Sequence, residues 1–302
     1  MKRQTKHIDI AQTITVEHSW WSDFNLLVKT RLTSMVVFTS VLAYVISSGF
    51  TVGIVPVIFL GLGGFLVAGA SNALNEVLEK DYDKLMDRTK DRPLAAGRMS
   101  ISNGVLIAGF MSLAGLTILG MFNPLTAFFG TLSLVIYAFI YTPLKRHSSI
   151  SVSIGAIPGA LPMLIGCVAF DGYVSVLAVI LFAVQFLWQF THFWAIGVLS
   201  FDDYHKAGYQ FIPSENAKPA RRIRWQALVA ALLLVPTCIL LYTELGIHMV
   251  SLILLIAGSL SFAFYALRFV QDKGEKNALQ LMFASLLYLP FFLSILLIDQ
   301  II

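Results

Sequence analysis

Charge is what this sequence has least of. Only 13% of its 302 residues are Asp, Glu, Lys or Arg, against roughly 25% in an average soluble domain. Hydrophobic residues make up 57% and the mean hydropathy is +0.78. A water-soluble globular domain is excluded, and a polytopic membrane protein is expected. Cysteine is nearly absent as well. Cys167 and Cys238 each lie inside an apolar run, so they read as small packing residues and not as a disulfide or metal site. The first 25 residues lack the apolar core of a secretory signal and the Arg-rich amphipathic pattern of an organellar transit peptide. A bacterial plasma membrane is the expected location. Residues 1–31 are then a cytoplasmic segment, with Trp20 and Trp21 as an interfacial pair before the first span.

Long apolar runs are abundant. Nine are expected to span, at about 32–50, 54–74, 102–121, 124–142, 151–170, 174–199, 225–243, 249–268 and 278–298, each near the ~20 residues that cross the hydrocarbon. All 21 Lys and Arg residues fall in alternate connections, within 1–31, 75–101, 143–150, 200–224 and 268–277. The other connections hold none and carry Asp171, Glu244 and Asp299. Positive charge stays on the cytoplasmic side, which puts the N-terminus inside and the C-terminus outside. The expected fold is all-α: one domain over 32–300, nine transmembrane helices around a central cavity, with cytoplasmic active-site loops 75–101 and 200–224. The pI of about 9.0 follows from this topology and calls for no nucleic-acid partner; membrane lipid is the surrounding medium. The two long inside loops stand four spans apart, which suggests two related four-helix halves with the ninth span added.

The acidic run NALNEVLEKDYDKLMDRTKDRP emerges directly from the second span. Asn75, Glu79, Asp83 and Asp87 recur every four residues and share one helical face, and Arg88 and Arg92 follow. Alternation of Asp81, Asp87 and Asp91 with Lys80, Lys84, Arg88 and Lys90 would suit a solvated, salt-bridged loop. The stripe continuing from a membrane helix points instead to a diphosphate carried by Mg²⁺. That ion needs one or two carboxylates and keeps other positions for phosphate and water. Asn75, Glu79 and Asp83 are the candidate metal ligands, and Arg88 and Arg92 the groups that neutralise the diphosphate. Such a site ionises an allylic diphosphate, and an electron-rich acceptor traps the cation.

Three further segments bear on this site. Gln185, Gln189 and His192 share a face of the sixth span, which continues to Asp203, so a pocket descending from the cytoplasmic face is expected. Pro158 and Pro162 in the fifth span imply a bent helix with room for a bulky substrate. Lys145 and Arg146 end the fourth span, either as lipid-surface anchors or as phosphate contacts.

At the acidic run the sequence resembles the UbiA superfamily of intramembrane prenyltransferases. The family's first motif, Asn-Asp-x₂-Asp-x₃-Asp, stands here as Asn75-Glu76-x₂-Glu79-x₃-Asp83, with Glu replacing two aspartates. The continuation Met86-x-Arg88-Thr89-x₂-Arg92-Pro93 is similar to the heme O synthase branch of protoheme IX farnesyltransferases. So are Tyr141-Thr142 with Lys145-Arg146, the run from Gln189 to Ala195, and Asp202-Asp203-Tyr204 with Ala207-Gly208. The resemblance implies an Mg²⁺-dependent transfer of farnesyl from farnesyl diphosphate to a vinyl group of heme B, giving heme O; a quinone-precursor prenyltransferase is the alternative. It departs in two places. The second acidic motif is reduced to Asp202-x₃-Lys206, which leaves most metal binding to the first and makes Lys206 a candidate diphosphate contact. Thr191 also stands where this branch is expected to have Pro. The catalytic set is then Asn75, Glu79, Asp83, Arg88, Arg92, His192 and Asp203, with Lys145, Arg146 and Lys206 on diphosphate and Gln185, Gln189 and His192 on heme. Three roles are open for His192: a buried hydrogen-bonding residue, an axial contact with the iron, or a proton carrier. Handover of product to a heme A synthase and a homo-oligomer are open as well.

Overall fold

A computed structural model describes residues 19–271 and 274–302. Residues 1–18, most of the expected cytoplasmic segment, lie outside the described residues, as do 272 and 273. A short helix, α1 (Trp20–Leu27), is capped by Ser19, whose side chain accepts from Ser22 N at 3.2 Å. After it come α2 (Thr30–Ser48), α3 (Ile54–Asp83) and α4 (Ile101–Gly120). The fourth span is one continuous rod of α5 (Pro124–Val135), a π-helical stretch (Ile136–Tyr141) and α6 (Thr142–Leu144). Then follow α7 (Ile150–Asp171), α8 (Val176–Leu199), the short α9 (Phe201–Lys206), a hairpin of β1 (Ser214–Glu215) and β2 (Lys218–Pro219), α10 (Arg221–Leu245), α11 (Met249–Gln271) and α12 (Glu275–Asp299). Among the described residues nine helices are long and apolar enough to cross a membrane, in the order and number expected.

The turns at the end away from the charged loops are short because their local chemistry stops the helices there. Gly49, Gly172 and Gly246 end α2, α7 and α10 at positive φ, a conformation that costs glycine little. Asn123 and Ser175 accept from Thr126 N and Ala178 N and so start the next helices.

Packing divides the bundle around one helix. α2, α3, α4 and α5 form one group, and α8, α10, α11 and α12 form another. α7 touches both and is buried along nearly its whole length. The fifth span therefore joins the two groups of four, which corrects the expectation that the ninth is the added one. Its small residues make the contact close. A Cβ at Gly166 would run into the Ser40 carbonyl of α2, and one at Gly155 would lie 2.6 Å from the Tyr141 ring. The two prolines do not interrupt α7. Pro162 has no N–H to offer the Pro158 carbonyl, and Ser133 Oγ of α5 donates to that oxygen instead, at 3.3 Å.

The helix that carries the acidic run is the longest. α3 spans 30 residues, about 45 Å at 1.5 Å per residue, against ~30 Å of hydrocarbon. The expected second span ends at 74, but the helix continues unbroken to Asp83. The motif thus stands on a helical extension and not on a loop.

Candidate active site

The extension presents its stripe inward. Asn72, Asn75, Glu76, Glu79 and Asp83 are all buried, whereas Asp81 and Lys84 pair with each other at 2.9 Å on the exposed side. The helix ends before Asp87, which pairs with Lys90 at 2.8 Å in the solvent. The stripe therefore has three members and not four. The salt-bridged surface reading holds for the outer charges and fails for the inner ones.

Each inner group has a defined partner. Asn75 Nδ2 donates to Glu79 Oε2 at 2.8 Å and to Thr142 Oγ1 at 3.0 Å. Its Oδ1 accepts from Lys29 Nζ at 3.0 Å, and Lys29 also reaches Asn72 Oδ1 at 3.3 Å. Lys145 Nζ lies 2.7 Å from Glu79 Oε1, an ion pair outside strict hydrogen-bond geometry. Arg92 Nη1 spans both oxygens of Asp83, at 2.9 and 2.8 Å. Glu76 turns away from this row: its Oε1 caps Leu94 N at 3.2 Å, and its Oε2 is buried without a hydrogen-bond partner. Thr89 Oγ1 donates to the Asp83 carbonyl at 2.9 Å. Segment 84–100 is in this way folded back as a lid on the helix end.

The fourth span reaches the site through its π-helical stretch. Thr142 Oγ1 donates to the Tyr137 carbonyl five residues back, at 2.9 Å, while accepting from Asn75. The wider turn places Tyr137 and Thr142 beside α3, at Asn72 and Asn75, an example of the π-helical geometry often found at functional sites. Lys145 sits 5.0 Å from the Tyr141 ring and 5.7 Å from that of Tyr209. Burial, then the charge of Glu79, pushes the Tyr209 hydroxyl well up, so it stays protonated beside that carboxylate. Burial, with the charges of Arg92 and Lys145, pushes the Lys29 ammonium down to about 7, against the pull of Glu79 and Glu76.

Of the residues expected from sequence, Asn75, Glu79, Asp83, Arg92 and Lys145 come together. Arg88 meets α9 instead, donating to Tyr204 OH at 2.5 Å with its guanidinium 5.2 Å from that ring. Arg146 faces elsewhere: it donates to the Leu78 carbonyl at 2.5 Å and stacks 4.0 Å over Tyr82, buttressing α3. Asp203 is half-buried on α9, and Lys206 is exposed near Asp87.

The polar face of α8 splits between two neighbours. Gln189 Nε2 donates to the Ala156 carbonyl of α7 at 3.2 Å and to the Gln185 carbonyl at 3.2 Å, in the space left by Gly159, whose Cβ would collide with Gln189. Gln185 Oε1 is buried without a hydrogen-bond partner. His192 meets α12 instead, its Nδ1 2.7 Å from Ser285 Oγ and its ring stacked on Trp188 at 4.8 Å. Ser285 Oγ donates its single hydrogen to the Met282 carbonyl at 2.5 Å. With the hydroxyl hydrogen on that carbonyl, the tautomer that completes the network carries its ring hydrogen on Nδ1 and keeps the Nε2 lone pair. α8 runs unbroken through Thr191, where proline was expected, and the Thr191 hydroxyl donates to the Ala227 carbonyl of α10 at 2.9 Å.

Sequence reasoning missed Lys29, Asn72, Thr142 and Tyr209. Asn72 was legible, since it continues the Asn75 stripe one turn earlier. Lys29 was not, because a lysine at the start of a span reads as a lipid-surface anchor.

Asn75, Glu79 and Asp83 supply one amide and two carboxylate groups, a hard-oxygen set that Mg²⁺ accepts when phosphate and water complete it. Among the described residues no three His, Cys, Asp or Glu side chains form a metal cage of their own. The donor set fits a metal that arrives with an oxyanion.

Among the described residues, nine helices long and apolar enough to span a membrane close over a buried row of carboxylates and cations, the architecture of an intramembrane enzyme. The chain belongs to the UbiA prenyltransferase family, whose match covers residues 36–287. It is 41% identical over 285 residues to a protoheme IX farnesyltransferase of Christiangramia forsetii, covering 92% of this chain and 93% of that one. Among solved structures it is similar to a digeranylgeranylglyceryl phosphate synthase, with a TM-score of 0.78 and 17% identity, covering 93% of this chain and 98% of that one. It is also similar to a UbiA homologue from Archaeoglobus fulgidus bound to GPP and Mg²⁺, with a TM-score of 0.65 and 16% identity over 91% and 99% of the two chains. At these identities the solved structures speak for the fold alone.

Proposed function

We propose that this protein transfers the farnesyl group of farnesyl diphosphate to a vinyl group of heme B, giving heme O and diphosphate, at the cytoplasmic face of a bacterial plasma membrane. The observation that carries the reading is the buried row Asn75–Glu79–Asp83 interleaved with Lys29, Lys145 and Arg92, in a chain so similar to a protoheme IX farnesyltransferase. The orientation rests on the one-sided distribution of Lys and Arg.

The chemistry follows from that row. Asn75, Glu79 and Asp83 would hold Mg²⁺, which when bound supplies positive charge to the departing diphosphate oxygens. Arg92, Lys145 and Arg88 bind the same phosphates and take up the charge that develops as the C1–O bond breaks. The vinyl carbon of heme B attacks C1, and water adds to the resulting cation on the macrocycle side with loss of a proton. The apolar walls of the bundle keep water from the allylic cation before that step. Gln189 and His192 on α8 are the proposed seat for the macrocycle, the Nε2 lone pair of His192 being a suitable iron contact because Nδ1 is already held by Ser285.

The test is product analysis with purified protein, heme B, farnesyl diphosphate and Mg²⁺. Heme O should form, and Asp83→Ala should abolish it without reducing membrane insertion. Formation of a prenylated quinone precursor in cells, with no heme O in the extract, would replace this reading by the related one.

A further inference from the structure

The proposed metal oxygens are already taken, each by a different cation. Asn75 Oδ1 holds Lys29 at 3.0 Å, Glu79 holds Lys145 at 2.7 Å, and Asp83 holds Arg92 at 2.8 Å. Lys29 differs from the other two, because the oxygens it touches belong to amides, Asn72 and Asn75. It reaches them from the break between α1 and α2, where its backbone is left-handed at φ 50°, ψ 55°. A non-glycine residue adopts that conformation at an energetic cost. The strain is retained at the residue that enters the site.

Asn75 has no freedom to offer its oxygen elsewhere. Its Nδ2 is bound to Glu79 and Thr142, so turning the amide over would break both bonds and set its N–H groups against the Lys29 ammonium. A divalent ion on Asn75 Oδ1 and an ammonium on the same oxygen repel each other in a medium that screens poorly. Lys29 must therefore leave Asn75 before metal binds there. The same holds for Lys145 on Glu79 and Arg92 on Asp83. A diphosphate is the one component of the reaction with enough negative charge to receive all three cations.

We propose that Lys29, with Lys145 and Arg92, makes metal uptake depend on diphosphate: free enzyme holds divalent metal weakly, and metal and diphosphate enter as a pair, with Lys29 passing from Asn75 to a phosphate oxygen. Lys29 is then a diphosphate ligand and a positioning residue for Asn75, in addition to the anchors read from sequence. The inference builds on the metal assignment proposed above. By linkage, each ligand must tighten the other by the same factor.

The test uses the full chain in lipid nanodiscs, with Mn²⁺ standing in for Mg²⁺ and free Mn²⁺ counted by electron paramagnetic resonance. Inorganic diphosphate should tighten Mn²⁺ binding to the protein about 50-fold, within the usual range for coupled sites, after correction for the Mn²⁺–diphosphate complex in solution. Lys29→Met should bind Mn²⁺ about tenfold more tightly than wild type without diphosphate and lose a matching part of the coupling. Lys29→Arg, which keeps the cation, should stay coupled. A purely structural lysine would not raise metal affinity when removed. Equal Mn²⁺ affinity with and without diphosphate in wild type overturns the coupling and leaves the metal site standing. Failure to bind Mn²⁺ even with diphosphate overturns the metal assignment itself. Full coupling in a folded Lys29→Met protein removes Lys29 from the device.

Discussion

Thr142→Val isolates the contribution of one hydroxyl to the site. Thr142 is fully buried, and its Oγ1 makes two bonds at once, donating to the Tyr137 carbonyl at 2.9 Å and accepting from Asn75 Nδ2 at 3.0 Å. Valine keeps the shape and removes both. A buried hydrogen bond contributes about 1 kcal/mol net, and a group left unsatisfied costs ~1–3 kcal/mol. The Tyr137 carbonyl is not left bare, because the π-helical register also brings it the Thr142 backbone N–H, which valine keeps. Asn75 Nδ2 still has Glu79. The expected loss of stability is therefore about 1–2 kcal/mol, the net worth of two hydrogen bonds with no partner left unsatisfied, read as a lower midpoint in SDS-induced unfolding from mixed micelles. The amide of Asn75 also loses one of its constraints. Roughly 1 kcal/mol of lost positioning lowers kcat/KM for farnesyl diphosphate about fivefold. Thr142→Ser keeps the hydroxyl and should stay within about twofold of wild type in rate, a difference of only a few tenths of a kcal/mol. Wild-type stability and rate in Thr142→Val would refute the reasoning. So would a serine variant as damaged as the valine one, since the methyl and not the hydroxyl would then be the active feature.

Arg88→Ala should raise KM for farnesyl diphosphate about tenfold, the worth of one charge-assisted hydrogen bond, with unfolding unchanged because Arg88 is exposed; an unaltered KM takes Arg88 out of the diphosphate grip. In spectral titrations, His192→Ala should lose the Soret shift seen when heme B binds wild type, whereas an identical shift in both proteins dismisses the iron contact. Gly159→Ala drives a methyl into Gln189 and should cost about 1–3 kcal/mol of stability. Adding Gln189→Ala should return most of it, and strict additivity of the two losses would contradict the proposed contact.

The fold was legible because its information is local and repeated. Each apolar run reports its own span, and the one-sided distribution of Lys and Arg reports the alternation between them. How the spans group was not legible. That the fifth span sits between two sets of four depends on small residues such as Gly155 and Gly166, whose role is visible only when Tyr141 and the Ser40 carbonyl stand opposite. The acidic stripe was legible up to Asp83, since a four-residue spacing is a helical statement. Asp87 fits the same spacing, but the helix has ended before it. Lys29 turns into the site and Arg146 does not, for one reason. The sequence locates both at span ends without saying which way the side chain turns, and the left-handed backbone at Lys29 and the Leu78 carbonyl and Tyr82 ring beside Arg146 decide it. The π-helical stretch leaves almost no trace in composition. Only Thr142-Pro143, a hydroxyl able to serve a carbonyl five residues back before a residue without an N–H, marks where the register changes.

The uninterrupted length of α3 has a mechanical consequence. The part of the helix that lipid surrounds and the part that grips charge are one rigid rod, so the height of the charged row above the hydrocarbon is set by residue count. One residue inserted into the apolar half would rotate Asn75, Glu79 and Asp83 by about 100° and raise them by about 1.5 Å, turning all three oxygens off their cations together. A full turn of four would nearly restore the facing but lift the row by about 6 Å, away from Lys29 and the end of the fourth span. A change in bilayer thickness pulls on the same rod. The local membrane is in this sense part of the geometry that places a water-borne diphosphate head against a lipid-borne tail.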